Sequence, residues 1–499
     1  MQWAEIKNLQ ALPLADIPRL SFPSFRTQAL AGVSSGWRLV QFFGDAEAEG
    51  PEGVVLYLVL ADDQRSRLYV MSTFCHQGLH RYPSFTPEAP AFHLFEREVY
   101  EQFGLEPQGH PWLKPVRRGI AGIDQSESPY PFFPMEGAEV HEVGVGPIHA
   151  GIIEPGHFRF SCQGEDVYHL EIQLGFQHRG MEDLFIRHRD RPGTLLRLAE
   201  SIAGDSVIGH AGTYARAMEA LGNVEVSRQA MLIRTIALEM ERIAMHLGDL
   251  AALAGDVAYL TGNAVFGALR TKVINATLAL CGSRFGRGLI APGGVHFNLA
   301  GPVLEKIRST ITGLEEEAAL AAEVLFGSAS LLARFEKTGV IDRATALQIG
   351  MVGPAARASG LALDVRSDHP YGGFSFFPVH KMTLDSGDVF ARAYIRTVEI
   401  SQSLHIIQEQ LAALNGGELC QPAAALQADR LVVSLAEGWR GEIAHCVLTD
   451  QQGKVRRYKI KDPSFHNWFG LALAVRGNGI SDFPVCNKSF NLSYCGFDL

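Results

Sequence analysis

The run HFRFSCQGEDVYHLEIQL, residues 157–174, decides how this chain divides. Apolar and polar side chains alternate on both sides of Gln163-Gly164-Glu165-Asp166, which supplies turn chemistry, so the run predicts a β-hairpin. Before it, WRLVQFFG (37–44), GVVLYLVLADD (53–63) and SRLYVMSTF (66–74) read as strands among helical pieces. Pro, Gly and Ser then crowd RRGIAGIDQSESPYPFFPMEGAE (117–139), a linker or extended strap. After the hairpin, from His178 onward, the text turns helical. SRQAMLIRTIALEMERIAMHLGDLAAL (227–253) is a long amphipathic helix, and 302–336 and 387–414 contain others. Strands return in LVVSLAEGWRGEIAHCVLTD and KVRRYKIKD (431–450, 454–462). The expected class is α+β: an N-terminal α+β domain over 1–116, a linker over 117–140, and a mainly helical domain over 141–499. That last domain opens on a β-hairpin and closes on strands.

Bulk properties narrow the function. At 499 residues the chain is about three typical domains long. A net charge of −10 provides no basic field, which argues against nucleic acid as a partner. The seven cysteines form no CxxC pair and suit a reducing compartment rather than a disulfide framework. The N-terminus lacks the cationic start and apolar core of a secretory signal. The greasiest run, 318–335, holds Glu323 and reads as a buried helix rather than a membrane span.

Three polar groupings carry possible chemistry. In AESIAGDSVIGHAGTYARAMEAL (199–221), Asp205, Ser206 and His210 precede or open a helical pattern. Asp205 or Ser206 is expected to cap that helix through a side-chain oxygen. Glu239, Arg242 and His246 share one helix face, a spacing that suits an internal ion pair with a satisfied histidine. Arg357, Asp364, Arg366, Asp368 and His369 crowd one segment, and so many charges can be buried only if they pair.

Several motifs in order carry a family resemblance. RYPSFTPEAPAFHLFEREVYEQFGLEPQGHPWLKPVRR (81–118) resembles the 30-kDa-type subunit of respiratory complex I. GPIHAGIIEPGHFRF, LGFQHRGMEDL, LEMERIAMHLGDL, GPAARASGLALDVRSDHPYGGF and EGWRGEIAHCVLTD resemble its 49-kDa-type subunit and the large subunit of group 4 membrane-bound nickel–iron hydrogenases. The fused order and the EPGHFR wording sit closer to the hydrogenase-type branch.

The resemblance implies a peripheral subunit on the cytoplasmic side of the cell membrane, with no cofactor bound by this chain alone. Its expected partners are a small iron–sulfur subunit whose terminal cluster borders a shared cavity, a ferredoxin-like iron–sulfur subunit, and antiporter-like and quinone-site membrane subunits. NADH, formate and ferredoxin all remain open as electron donors. Nickel–iron catalysis needs four soft thiolates. Registering His210 on the family's first motif places Ala203 and Ser206 at two ligand positions, and registering the C-terminal motif places Ser493 and Gly496 at the others. The family's quinone-contacting tyrosine falls at Gly204, and its hairpin histidine near Glu154–Pro155, flanked by His149 and His157.

The expectation is therefore a quinone-like cavity without nickel and iron. His149, Glu154, His157 and Asp205 are its candidate proton donors or lining groups. His178, Arg179, Gly204 and His210 border the partner's cluster or the acceptor, and Glu239, Arg242, His246, Arg357, Asp364 and His369 are a candidate proton relay. The plainer readings are turn residues, an interface ion pair and a structural charge network; Arg440 and Glu442 read as structural. A true hydrogenase subunit and a non-catalytic scaffold are the alternatives.

Overall fold

The computed structural model describes residues 2–46, 53–76, 78–117, 130–151 and 153–499. Part of the expected linker, 118–129, lies outside the described residues. The architecture is α+β, with an N-terminal sheet domain against a helical C-terminal domain.

The N-terminal sheet is an antiparallel meander of Arg38–Ala46, Gly53–Asp62 and Arg67–His76, with Ala4–Ile6 and Arg19–Leu20 added along the last strand. Its apolar runs are nearly continuous because both faces are covered. Leu56, Leu58 and Leu60 pack with Phe25, Phe85 and Phe92, whereas Val55, Tyr57 and Val59 face a core shared with Ile208 and Ala211 of the C-terminal domain. The period of two thus divides one strand between two cores.

The hairpin of the sequence forms as His157–Gln163 and Asp166–Gln173, joined by a third strand, Val140–Val145. Phe158 and Phe160 turn inward, their rings 5.0 and 4.9 Å from Phe483. The long helix spans Arg228–Asp256 and is buried on nearly every side, against Leu260–Cys281, Val389–Ala412 and Phe483–Phe490. The C-terminal strands Arg430–Gly438, Gly441–Thr449 and Val455–Lys461 make an antiparallel sheet whose far edge takes Leu12–Pro13 from the N-terminal segment. Helix Val207–Gly222 lies across that sheet.

Two expectations are corrected. The 318–335 run is not one buried helix: Gly301–Phe326 and Ala329–Phe335 meet at a 79° bend, and Leu320 and Val324 are more than half exposed. Leu260–Cys281 is the described helix long and apolar enough to cross a membrane by composition, and 44% of its most apolar window is buried.

One close approach ties the helical core to the sheet. Gly353 opens helix Gly353–Ala358 at φ +70°, and a Cβ there would stand 2.0 Å from the Arg440 carbonyl oxygen. Only glycine lets this backbone press onto the 438–441 turn.

Candidate functional site

Three segments converge below the hairpin sheet: the 146–156 turn, the 203–206 loop and the 493–496 loop. Cys495 marks their meeting point. Its thiol donates to the Glu154 carboxylate and accepts from the Gly204 amide, with Ser493 Oγ 3.4 Å away. Burial, then the charge of Glu154, pushes this thiol up to about 11, so it stays a protonated donor. Burial likewise pushes the neighbouring Asp498 carboxyl up to about 6.

Arg179 holds two of the three segments together. Its Nη1 donates to the Ser201 carbonyl at 2.6 Å, and its Nη2 to those of Ile202 and Cys495 at 2.9 and 3.3 Å. The residue itself is exposed. His178 Nδ1 lies 2.7 Å from the Asp498 carbonyl oxygen. Asp205 takes a two-pronged ion pair from Arg440, at 2.6 and 2.8 Å, while its carbonyl accepts the Trp439 indole N–H.

Neither Asp205 nor Ser206 caps the following helix, a correction to the expected cap. The Ile208 and Gly209 amides donate instead to Glu241 of the long helix, at 2.8 and 3.1 Å. With Asp205 committed to Arg440, a buried carboxylate from another element satisfies the orphan donors.

The other hairpin candidates turn to backbone. His149 Nε2 is 2.8 Å from the Gly156 carbonyl, and His157 Nδ1 is 3.1 Å from that of Gly146. Of the four expected proton donors or lining groups, Glu154 is the one that reaches Cys495. At the positions registered on metal ligands, Ala203, Ser206 and Ser493 are buried, and a Cβ at Gly496 would lie 2.7 Å from the Asp462 carboxyl. Among the described residues, no group of three or more His, Cys, Asp or Glu is arranged to hold a metal ion.

A second assembly fills the core behind the pocket. Arg366 bridges Asp364, at 3.0 and 2.7 Å, to Glu239 at 3.1 Å. Arg242 lies 3.2 Å from Glu239 and donates to the Glu437 and Gly438 carbonyls. Arg357 joins Glu399 at 2.9 Å and Glu437 at 2.8 Å, and His246 Nε2 meets Glu399 at 2.9 Å. Five of the six expected relay residues are therefore together. The sixth, His369, pairs with Asp63 of the N-terminal domain at 3.0 Å, in a separate chain running through Arg38 and Glu442 to Lys461.

In the core assembly four carboxylates, Glu239, Asp364, Glu399 and Glu437, face three guanidiniums, Arg242, Arg357 and Arg366. One proton relieves the excess. Burial, then the charge of Asp364, pushes the Glu437 carboxyl up to about 7. An acid whose pKa rises on folding contributes stability that is complete below its ordinary value of 4.5 and is lost as pH rises through about 7. The thermal midpoint is accordingly expected to fall between pH 5 and 8 more steeply in the wild type than in Glu437→Gln, as scanning calorimetry would read. Equal slopes would remove Glu437 as the proton's seat.

The residues missed by sequence are Cys495, Glu241, Glu399 and Glu437. Each acts on a partner far along the chain, and neither periodicity nor a motif singles it out.

Comparison with known proteins agrees with the fold. Residues 29–119 match the family model of the respiratory-chain NADH dehydrogenase 30 Kd subunit, and residues 256–432 that of the 49 Kd subunit. Formate hydrogenlyase subunit 5 of Escherichia coli (strain K12) is 29% identical, over 92% of this chain and 84% of its own. The fused C/D polypeptide of NADH-quinone oxidoreductase from Phocaeicola vulgatus is 27% identical over 83% and 85%. Membrane-bound hydrogenase subunit alpha of Pyrococcus furiosus is 28% identical over 70% and 85%. Among solved structures, a chain of the membrane-bound sulfane sulfur reductase, an archaeal respiratory membrane complex, superposes with a TM-score of 0.68 at 27% identity, covering 74% of this chain and all of that one.

Proposed function

From a chain that fuses complex I-type 30-kDa and 49-kDa domains, we propose a peripheral subunit of a membrane-associated redox complex whose loop pocket serves a quinone-like acceptor without nickel or iron. The convergence of Glu154, Cys495 and the Gly204 amide carries this reading. A carbonyl acceptor that takes up electrons must also take up protons, and Glu154 backed by the Cys495 thiol is a donor set suited to that step. Arg179, at the rim, faces a small iron–sulfur partner and raises the potential of its cluster by favouring the added electron. A ferredoxin-like subunit brings electrons from NADH, formate or ferredoxin, and antiporter-like membrane subunits take up the coupled proton movement on the cytoplasmic face. The core charge assembly passes protonation changes toward them.

A four-thiolate nickel–iron centre does not fit these residues. Cys495 is the one thiol on the two loops, and Gly496 has no room for a cysteine Cβ unless Asp462 moves. Glu154→Gln in the assembled complex is expected to lower quinone reduction about tenfold, with assembly intact. Unchanged turnover would favour a scaffold, and stoichiometric nickel in the purified complex would favour a hydrogenase subunit.

A further inference from the structure

Behind the 493–496 loop, four titratable side chains from four elements meet end to end. Asp462, which follows the last strand, holds His210 Nε2 at 3.0 Å. His210 Nδ1 is 3.2 Å from His445 Nε2, and His445 Nδ1 is 2.9 Å from the Tyr458 hydroxyl. All four are at most 1% exposed. We propose that Asp462, His210, His445 and Tyr458 form a file that moves one proton between the loop pocket and the outer side of the C-terminal sheet.

Hydrogen-bond bookkeeping fixes its direction. Although burial opposes ionisation, the hydrogen bond from His210 and the charge of Arg440 hold the Asp462 carboxyl below its ordinary value, so it accepts. His210 then carries hydrogen on Nε2 and accepts at Nδ1, which requires His445 to donate from Nε2. Burial, then His210 and Arg216, keeps His445 neutral, so its Nδ1 accepts the Tyr458 O–H. Each of the three bonds points toward Asp462.

A shift along the file balances. The Tyr458 O–H breaks as His445 Nδ1–H forms; His445 Nε2–H breaks as His210 Nδ1–H forms; His210 Nε2–H breaks as the Asp462 O–H forms. Both imidazoles stay neutral and exchange tautomers, so a second proton must wait until the first returns or both rings turn.

The two ends suit such a role. The Asp462 carboxyl lies directly behind Gly496, on the loop that carries Cys495, and its Oδ1 accepts from the Ser464 amide at 2.8 Å. At the other end the Tyr458 ring stacks on Phe185 at 4.2 Å and lies 6.4 Å from Tyr214. Tyr214 in turn borders a cavity of about 270 Å³ together with Arg189, Asp190 and Lys454. Tyr458 regains its proton from that side. Charges facing the file are Arg216, Arg440 and Glu182.

The pocket end rests on the reading that the pocket consumes protons; the file itself does not. The test is ¹⁵N-histidine NMR of the full chain. The expected result is the Nε2–H tautomer for both His210 and His445. Tyr458→Phe, which keeps the ring stack, slows solvent exchange of the proton shared by His210 and His445 at least tenfold. Asp462→Asn, an isosteric change, turns His210 to the Nδ1–H tautomer. An imidazolium at either position, or wild-type exchange in Tyr458→Phe, would overturn the file. If the file behaves as stated while the assembled complex reduces no quinone, the pocket reading fails alone.

Discussion

Arg366→Leu is expected to lower the unfolding free energy by about 3–5 kcal/mol, read from urea denaturation of the purified chain. Arg366 is 1% exposed and touches two carboxylates at once. Removing it leaves Asp364 and Glu239 facing Arg357 and Arg242, so a net charge of −1 in the assembly becomes −2 in a space without water. Most of the loss is the unpaired charge, not the missing contact. Arg366→Leu combined with Glu239→Gln is therefore expected to be more stable than Arg366→Leu alone. Additive losses would show that the two residues do not act as a pair.

Gly353→Ala is expected to cost about 3 kcal/mol or more, because backbone has to move. Its Cβ would meet the Arg440 carbonyl at 2.0 Å and Gly441 Cα at 2.5 Å, at a φ of +70°. Gly36→Ala is the control: φ is +88° there, but nothing lies within 4 Å, so about 1 kcal/mol is expected. Displacing Arg440 also pulls on Asp205, so Gly353→Ala should disturb the loop pocket as well as the fold. Equal midpoints for the two variants would mean that the close approach does not constrain the chain.

What the amino-acid pattern reveals is what is local. The hairpin at 157–173 and the helix at 228–256 are legible because the periods of two and 3.6 hold over many residues. Helix Leu260–Cys281 is harder to see as apolar, since Asn263, Arg270, Lys272 and Asn275 interrupt it. The cap of the 207–222 helix is illegible because Glu241 comes from 33 residues away. The spacing of Glu239 and Arg242 announces their pair, yet Glu399 and Glu437 join them only once a helix and a strand have packed. His445 sits in an apolar strand whose pattern offers no reason to single it out, and its partner His210 is 235 residues distant.

The pairing of Leu12 with Leu431 and of Pro13 with Arg430 has a topological consequence. A segment that precedes the N-terminal sheet completes the edge of a sheet more than four hundred residues later, so the two domains are clasped by main chain as well as by packed faces. If the chain were cut within 117–140, the N-terminal piece would still donate its strand to the C-terminal piece in trans. The C-terminal piece alone would present a bare edge on Arg430–Gly438, open to pairing with other molecules. Proline at position 13 ends the ladder, because its nitrogen has no hydrogen to offer a further strand. The clasp thus closes the sheet as well as joining the halves.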